Sequence, residues 1–215
     1  MHASARLPLS RERIVEAAIE MADTEGVAML SMRKLGAALG VEAMSLYNHV
    51  RNKDELLDAM LDAALREVVL PDSRLVWDEQ LGALAQEFRL AGRRHPGVLP
   101  LFGTRAIRSL EGFAPLERSF VILRQAGLAP DDALDAFMML ASFVLGYVTS
   151  ENGGLREVAE GRSIDFSTID FVAHPYLIEM GEAFVRHDGD REFQFGLNVL
   201  IEGIRQRLSG TDVER

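Results

Sequence analysis

The sequence predicts an all-α fold, a short N-terminal unit followed by a larger helical body. Three observations carry that expectation. Apolar residues recur at intervals of three and four through nearly every long segment, and no run shows the period-two alternation of a strand. Capping residues stand just ahead of those segments, with glycine or proline just behind them. The composition is ordinary for a globular protein, 48% hydrophobic and 26% charged over 215 residues, so a sizeable core is within reach.

Taken in order, Ser10 is expected to cap a first helix whose Ile14, Val15, Ala18, Ile19 and Ala22 share one face, ended by Gly26. Ser31 caps a short helix bearing Met32, Leu35 and Leu39, closed by Gly40. A second short helix is expected over 42–49, anchored by Leu46. Asn52 starts the next, with Glu55 three residues on in capping-box position, and Leu56, Leu57, Met60, Leu61, Ala64 and Leu65 give it an apolar side. It stops at Pro71, so a first domain is expected over 1–70 and a second over 71–215, with the 53–70 helix packing on both. Prolines then punctuate helical patterns at 77–94, 96–102, 110–126, 130–151, 176–187 and 190–208. The polar, glycine-rich "ENGGLREVAEGRS" (151–163) reads as a connection.

Several classes are excluded. There is no cysteine, so neither a disulfide framework nor a thiolate metal site exists. The start "MHASARLPLSRER" lacks the apolar core of a signal peptide, and the uncharged apolar run 136–149 is short for a bilayer span. A cytoplasmic protein without membrane contact is the expectation. No G-x-S-x-G, P-loop, dinucleotide fingerprint or H-E-x-x-H motif is present, which argues against an enzyme. "RHDGDRE" (186–192) gathers His187, Asp188 and Asp190, which could mimic a metal site. The preferred reading is a solvated turn in which Asp190 caps the last helix, so no metal and no cofactor are expected. His95 and His174 each precede a proline and mark turns.

The formal net charge of −10 argues against nonspecific coating of nucleic acid by the whole surface. Locally the balance reverses: over 31–53 stand Arg33, Lys34, Arg51 and Lys53 against the single acid Glu42. Phosphate attraction acts within a screening length of about 10 Å at 0.1 M salt, so a basic face on an acidic body can still hold DNA. The two short helices joined by "LGVE" have the form of a helix-turn-helix. Leu46 and Val50 face inward, leaving Ala43, Met44, Ser45, Tyr47, Asn48 and His49 outward. Small and polar outward residues permit close approach to a groove. Ala43 and Met44 suit thymine methyl groups and Asn48 an adenine edge, while Tyr47 and His49 can donate to phosphate oxygens. Lys53 adds charge at a helix start that already favours an anion. The same pattern also fits an amphipathic helix pair without DNA, with Tyr47 as a packing aromatic and His49 as a surface residue.

These residues also carry a resemblance. "LSMRKLGAALGVEAMSLYNHVRNKDELLDAML" (30–61) closely resembles the DNA-binding domain of the tetracycline-repressor (TetR) family of bacterial transcription regulators, "LYNHV.NKDEL" being its most specific part. The resemblance implies an N-terminal three-helix helix-turn-helix DNA-binding domain and a C-terminal helical ligand-binding and dimerisation domain. By position it implies base or groove contact for Arg33, Ala43, Met44 and Ser45, and phosphate contact for Tyr47, His49 and Lys53. Asn48 stands where the founding member has tryptophan, and Ala43-Met44 replace its glutamine-proline pair, so the operator sequence is not carried over.

The C-terminal part is similar to the founding subgroup more weakly, through Trp77, Phe88, "FGTR" (102–105) and "LGYVTSEN" (145–152). That likeness implies a cavity among these helices and a dimer formed by two C-terminal helices of each subunit. The residues support both independently. Positions 134–148, "LDAFMMLASFVLGYV", are apolar on most of their circumference, and Phe193, Leu197, Leu200, Ile201, Ile204 and Leu208 form a second stripe. Together they suggest an intersubunit four-helix bundle from the helices near 130–151 and 190–208. Candidate cavity residues are Leu84, Phe88, Leu101, Phe102, Arg105, Phe113, Leu116, Phe120, Phe137, Met138, Ala141 and Tyr147. Arg105 could clamp a carboxylate of the ligand or pair with a protein acid, and both readings stay open.

The expected function is a ligand-responsive regulator, a repressor released from a pseudopalindromic double-stranded operator by a small, mostly apolar effector. The alternative from another class is a small-molecule binding protein with a non-functional DNA head; a helical enzyme ranks third. Tetracycline recognition in the founding member uses polar contacts and a histidine that holds the magnesium-bound drug. The corresponding positions here are read as Val69, Leu84 and Leu101, all apolar, so neither magnesium nor tetracycline is expected to act.

Overall fold

The structure is a computed structural model that describes residues 8–159, 173, 176 and 188–211, and among these no strand occurs. The N-terminal head holds α1 (Arg11–Glu25), α2 (Met32–Leu39), α3 (Ala43–Leu46) and α4 (Lys53–Arg66). The body holds α5 (Trp77–Arg94), α6 (Leu110–Gln125), α7 (Pro130–Ala159) and α8 (Gly189–Thr211).

Local chemistry sets the head. Ser10, Ser31 and Asn52 each accept a hydrogen bond from the amide three residues on, satisfying one of the donors a helix start leaves open. Glu55 completes the third cap by reaching back to the Arg51 amide at 2.8 Å. Gly40 closes α2 at φ +68, a left-handed conformation that costs glycine nothing and aims the chain into α3. Ile14, Ala18, Leu35, Leu46, Val50, Leu56 and Met60 then interlock as one core.

The expected helix over 42–49 is shorter as an α-helix. After Leu46 the chain winds on through tighter bonds, Tyr47 N–H to Met44 O and His49 N–H to Leu46 O. The expected helix over 96–102 is only a 3-10 turn, Leu99–Leu101, because Pro96 and Pro100 bring no amide donors. "ENGG" was expected in a connection, yet α7 runs through it. Side-chain ties hold it there: Glu151 accepts from Arg89 at 2.7 Å, and Asn152 Nδ2 donates to Gly92 O. The last helix is capped by Asp188, not Asp190, since the Asp190 and Arg191 amides donate to Asp188 Oδ1. Asp190 is thereby free to meet Arg89 at 2.9 Å. The expected helix over 176–187, together with His174 and His187, lies outside the described residues apart from Tyr176.

Arg89 is the body's most demanding residue, 1% exposed. A buried charge needs compensation. Glu151 and Asp190 supply it, and the Tyr147 and Phe193 rings lie 5.4 and 4.7 Å from the guanidinium carbon. Burial works against this charge, but the two carboxylates outweigh it and raise the arginine pKa above its ordinary value. The network ties α5, α7 and α8 together beside the core of Leu81, Leu84, Leu123, Val148 and Leu197.

Head and body meet along α4 and at the turn after α5. Helix α4 packs on α1 on one side and on α6 on the other. Val98 and Leu101 of the body are buried in the head's core. Asp23 at the end of α1 accepts from the Gly97 amide at 2.8 Å and meets His95 Nδ1 at 3.1 Å. His95 Nε2 faces Glu67 at 3.2 Å, so this histidine, expected only to mark a turn, joins α1, the end of α4 and α5. Gly97 lies so close that a Cβ there would sit 2.0 Å from the Ala22 carbonyl oxygen.

Candidate nucleic-acid interface and ligand cavity

The outer face of the second short helix carries the first candidate site. Leu46 and Val50 are buried, as the pattern required, and Met44 and Tyr47 stand 72% and 42% exposed. Arg33 and Asn48 are exposed as well, while Ala43, Ser45 and His49 are half-buried. The basic residues differ in their freedom. Lys34 pairs with Glu25 at 2.8 Å, and Arg51 pairs with Glu55. Lys53 Nζ donates to the Leu30 carbonyl at 2.6 Å, bridging the start of α4 to the residue ahead of the α2 cap. Lys53 therefore also ties the start of α4 to the entry of α2.

The second candidate site is a cavity of about 560 Å³ in the body. Drug-sized ligands occupy clefts of this order. Nine of the expected residues line it: Leu84, Phe88, Phe102, Arg105, Phe113, Leu116, Phe137, Met138 and Ala141. Three do not. Leu101 points into the head's core, Phe120 lies against Phe137 in a tilted ring contact at 4.9 Å, and Tyr147 donates to Gly189 O at 2.6 Å. Of the positions equated with the founding member's drug contacts, Leu84 lines the cavity, whereas Val69 and Leu101 do not.

The unexpected lining residues are the more instructive. Leu61 and Leu65 of α4 form part of the cavity wall while belonging to the head's core. The signal was present in the double width of the α4 apolar arc, where Leu57, Leu61 and Leu65 run beside Leu56, Met60 and Ala64. A helix apolar over two adjacent stripes has two neighbours to satisfy. Ser119 and Ser142 add hydroxyls to the lining, and Arg105 is its one charged residue among the described residues. Arg105 Nε donates to Asp58 Oδ1 at 2.7 Å, and its Nη2 reaches Asp54 O and Oδ1. Among the two open readings, the described contacts are those with protein acids.

Helix α7 is long and apolar enough over Pro130–Gly153 to cross a membrane by length and composition. Its packing gives that apolarity another use. Leu140, Val144 and Val148 face the body's own core, and Leu134, Met138 and Met139 are exposed. On α8 the stripe Phe193, Leu197 and Ile201 is buried inside the protomer, with Leu200, Ile204 and Leu208 packed against the same core. Phe193, Leu197 and Ile201 are thus withdrawn from the expected contact with a second subunit, while Leu200, Ile204 and Leu208 are half-buried. The outward apolar residues of α8 are Phe195 and Val199, 70% and 56% exposed.

A helix-turn-helix head sharing one helix with a largely apolar cavity defines a ligand-responsive DNA-binding regulator. Comparison with known proteins agrees. The family model for bacterial regulatory proteins of the tetR family matches residues 14–60, and the model for the tetracyclin repressor-like C-terminal domain matches 70–208. The chain belongs to the TetR family of transcription regulators. It is 37% identical over 212 residues to the HTH-type transcriptional repressor DrrR1 of Streptomyces coeruleorubidus, covering 91% of this chain and 77% of that one. It is 38% identical over 145 residues to an HTH-type transcriptional regulator of Saccharopolyspora erythraea, a match spanning 67% of this chain and 61% of that relative. Among solved structures, ActR of Streptomyces coelicolor in complex with actinorhodin superposes with a TM-score of 0.76 at 28% identity, covering 94% of this chain and 99% of that one.

Proposed function

We propose that the protein works in the cytoplasm as a homodimeric repressor without catalytic activity, released from a pseudopalindromic operator when a mostly apolar molecule enters the body cavity. The observation that carries this reading is the double membership of Leu61 and Leu65, which stand in the cavity wall and in the head's core at once. An occupant that moves α4 moves the head. Only a ligand that favours one head position over the other can release DNA. Arg33, Ala43, Met44, Ser45 and Asn48 are proposed to meet the groove, with Tyr47, His49 and Lys53 on the phosphates. The dimer is proposed to form through the outward faces of α7 and α8, where Phe195 and Val199 would be covered. That the likewise folded ActR is solved in complex with actinorhodin supports a small-molecule effector for this cavity.

The experiment is operator binding by fluorescence anisotropy, using DNA upstream of the protein's own gene. If about six phosphates are neutralised per dimer, log K should fall with a slope of about −5 against log salt. Val199→Glu, on the exposed face, should give a folded monomer by light scattering and abolish operator binding. A flat salt response would defeat the DNA reading, and a dimeric Val199→Glu would displace the interface. Calorimetry with tetracycline plus magnesium should show no binding; micromolar heat that a chelator removes would overturn the comparison of the body with the founding member.

A further inference from the structure

We propose that the effector is an apolar acid, ionised at neutral pH, whose anion takes Arg105 away from the acidic residues of α4. This rests on the cavity being the effector site. Among the described residues, Arg105 is the one charged residue in a wall otherwise built of aliphatic and aromatic side chains and two serines. A ligand anion entering that wall meets a single cationic group among the described residues. The guanidinium already serves the head: Nε donates to Asp58 at 2.7 Å and Nη2 to the Asp54 carbonyl and carboxylate at 3.1 and 3.2 Å. Its third nitrogen makes no hydrogen bond among the described residues, so an anion can engage it before the older bonds break.

Asp58 makes the exchange feasible. This carboxylate is 7% exposed, and stranding a buried charge is costly. It is not stranded, because Arg108 Nε lies 2.7 Å from its other oxygen. When Arg105 swings to the ligand, Asp58 keeps Arg108 as its partner. Asp54 is 80% exposed and returns to water. Every charge remains paired or solvated in both states, so the two arrangements can lie close in free energy. A neutral ligand offers the guanidinium only uncharged acceptors, which compete poorly with two carboxylates, and leaves Arg105 on α4. An anion removes the Arg105 share of the tie between α4 and the 103–109 turn, freeing the first turn of α4 at Asp54 while Arg108 stays on Asp58, and that loosening is the switching event.

Two dyes with one ring skeleton test this on the full-length protein: 8-anilinonaphthalene-1-sulfonate, an anion, and N-phenyl-1-naphthylamine, its neutral counterpart. Energy transfer from Trp77, the single tryptophan, reports binding near the cavity. Arg105→Met should cut the preference for the sulfonate over the neutral dye roughly 10- to 100-fold, the range of one charge-assisted hydrogen bond. Asp58→Asn releases Arg105 and should raise that preference several-fold. Arg108→Met leaves Asp58 dependent on Arg105 and should lower it. A preference within twofold of wild type in Arg105→Met, or in Asp58→Asn should Arg105→Met fail to fold, overturns the proposal. Ala141→Trp, which fills the cavity, separates the two readings. If it leaves both dyes bound, the cavity is not the site and the proposed function fails with the inference. If it blocks both dyes while the preferences stay unchanged, only the anion exchange is wrong.

Discussion

The head and the body reach stability by different routes. The head is small, and its elements are fixed by neighbours in sequence: Ser10, Ser31 and Asn52 cap their own helices, and Gly40 turns the chain within a few residues. The body is larger and built around an opening. Its helices are held at the edges by long-range contacts, such as Arg89 with Glu151 and Asp190. The contrast suits a rigid reader attached to a compliant sensor. Packing to full density resists distortion, whereas a cavity leaves room for an occupant to move a wall.

Cavity-creating substitutions should show the contrast most strongly. Leu46→Ala removes a fully buried side chain from the filled head core and should cost roughly 3–5 kcal/mol. Leu84→Ala removes an equally hidden side chain from the edge of an existing cavity. Part of its surroundings is already empty, so a loss of about 2 kcal/mol is expected. Urea denaturation of both variants checks the ranking; equal losses would mean that the cavity is filled in the resting protein.

The joint between the two regions comes next. Gly97→Ala puts a methyl group where backbone already stands, 2.0 Å from Ala22 O. Neither α1 nor the turn after α5 can yield without separating, and overpacking of this kind typically costs about 1–3 kcal/mol. The loss should appear as a splitting of the thermal transition in calorimetry, one part melting ahead of the other. A single transition shifted as a whole would show that the joint is more plastic than its contacts indicate.

The smallest effect belongs to one cap in the head. The Arg51 amide and then the Arg51 guanidinium hold the Glu55 carboxyl below its ordinary value of 4.5. A depressed pKa in the folded state stabilises above the unfolded value and is lost as pH falls through the folded one. Glu55→Gln should therefore remove an acid-sensitive contribution below about 1 kcal/mol, since the group lies near the surface. Wild type and variant should differ at pH 7 and converge below pH 4.5 in denaturation series. A constant difference across that range would assign the effect to packing instead.

Much of the head was legible in sequence because its causes are local. A cap acts over three residues, an apolar face over one or two turns, and a left-handed glycine on its own peptide. The buried positions of Leu46 and Val50 followed from spacing alone. In the body, helix existence was legible and helix partners were not. The α8 stripe was visible, but its burial against the protomer's own α5 and α7 depends on where those helices lie. Arg105 was marked as a charge on an apolar segment, with its partner undetermined. Asp58 is 47 residues away, and no spacing rule connects them. His95 read as a turn marker because the acids that face it come from α1 and the end of α4.

The sequence by itself therefore determined the helices, most of their ends, the outward face of the second short helix and the family, since all of these rest on near-neighbour chemistry and contiguous motifs. Only the tertiary structure decided which face of each body helix is internal, that α4 belongs to both core and cavity, and that Arg105 stands between the cavity and the head. Those outcomes depend on close packing between segments far apart in the chain, where the position of one side chain is set by the volume and charge of all its neighbours together.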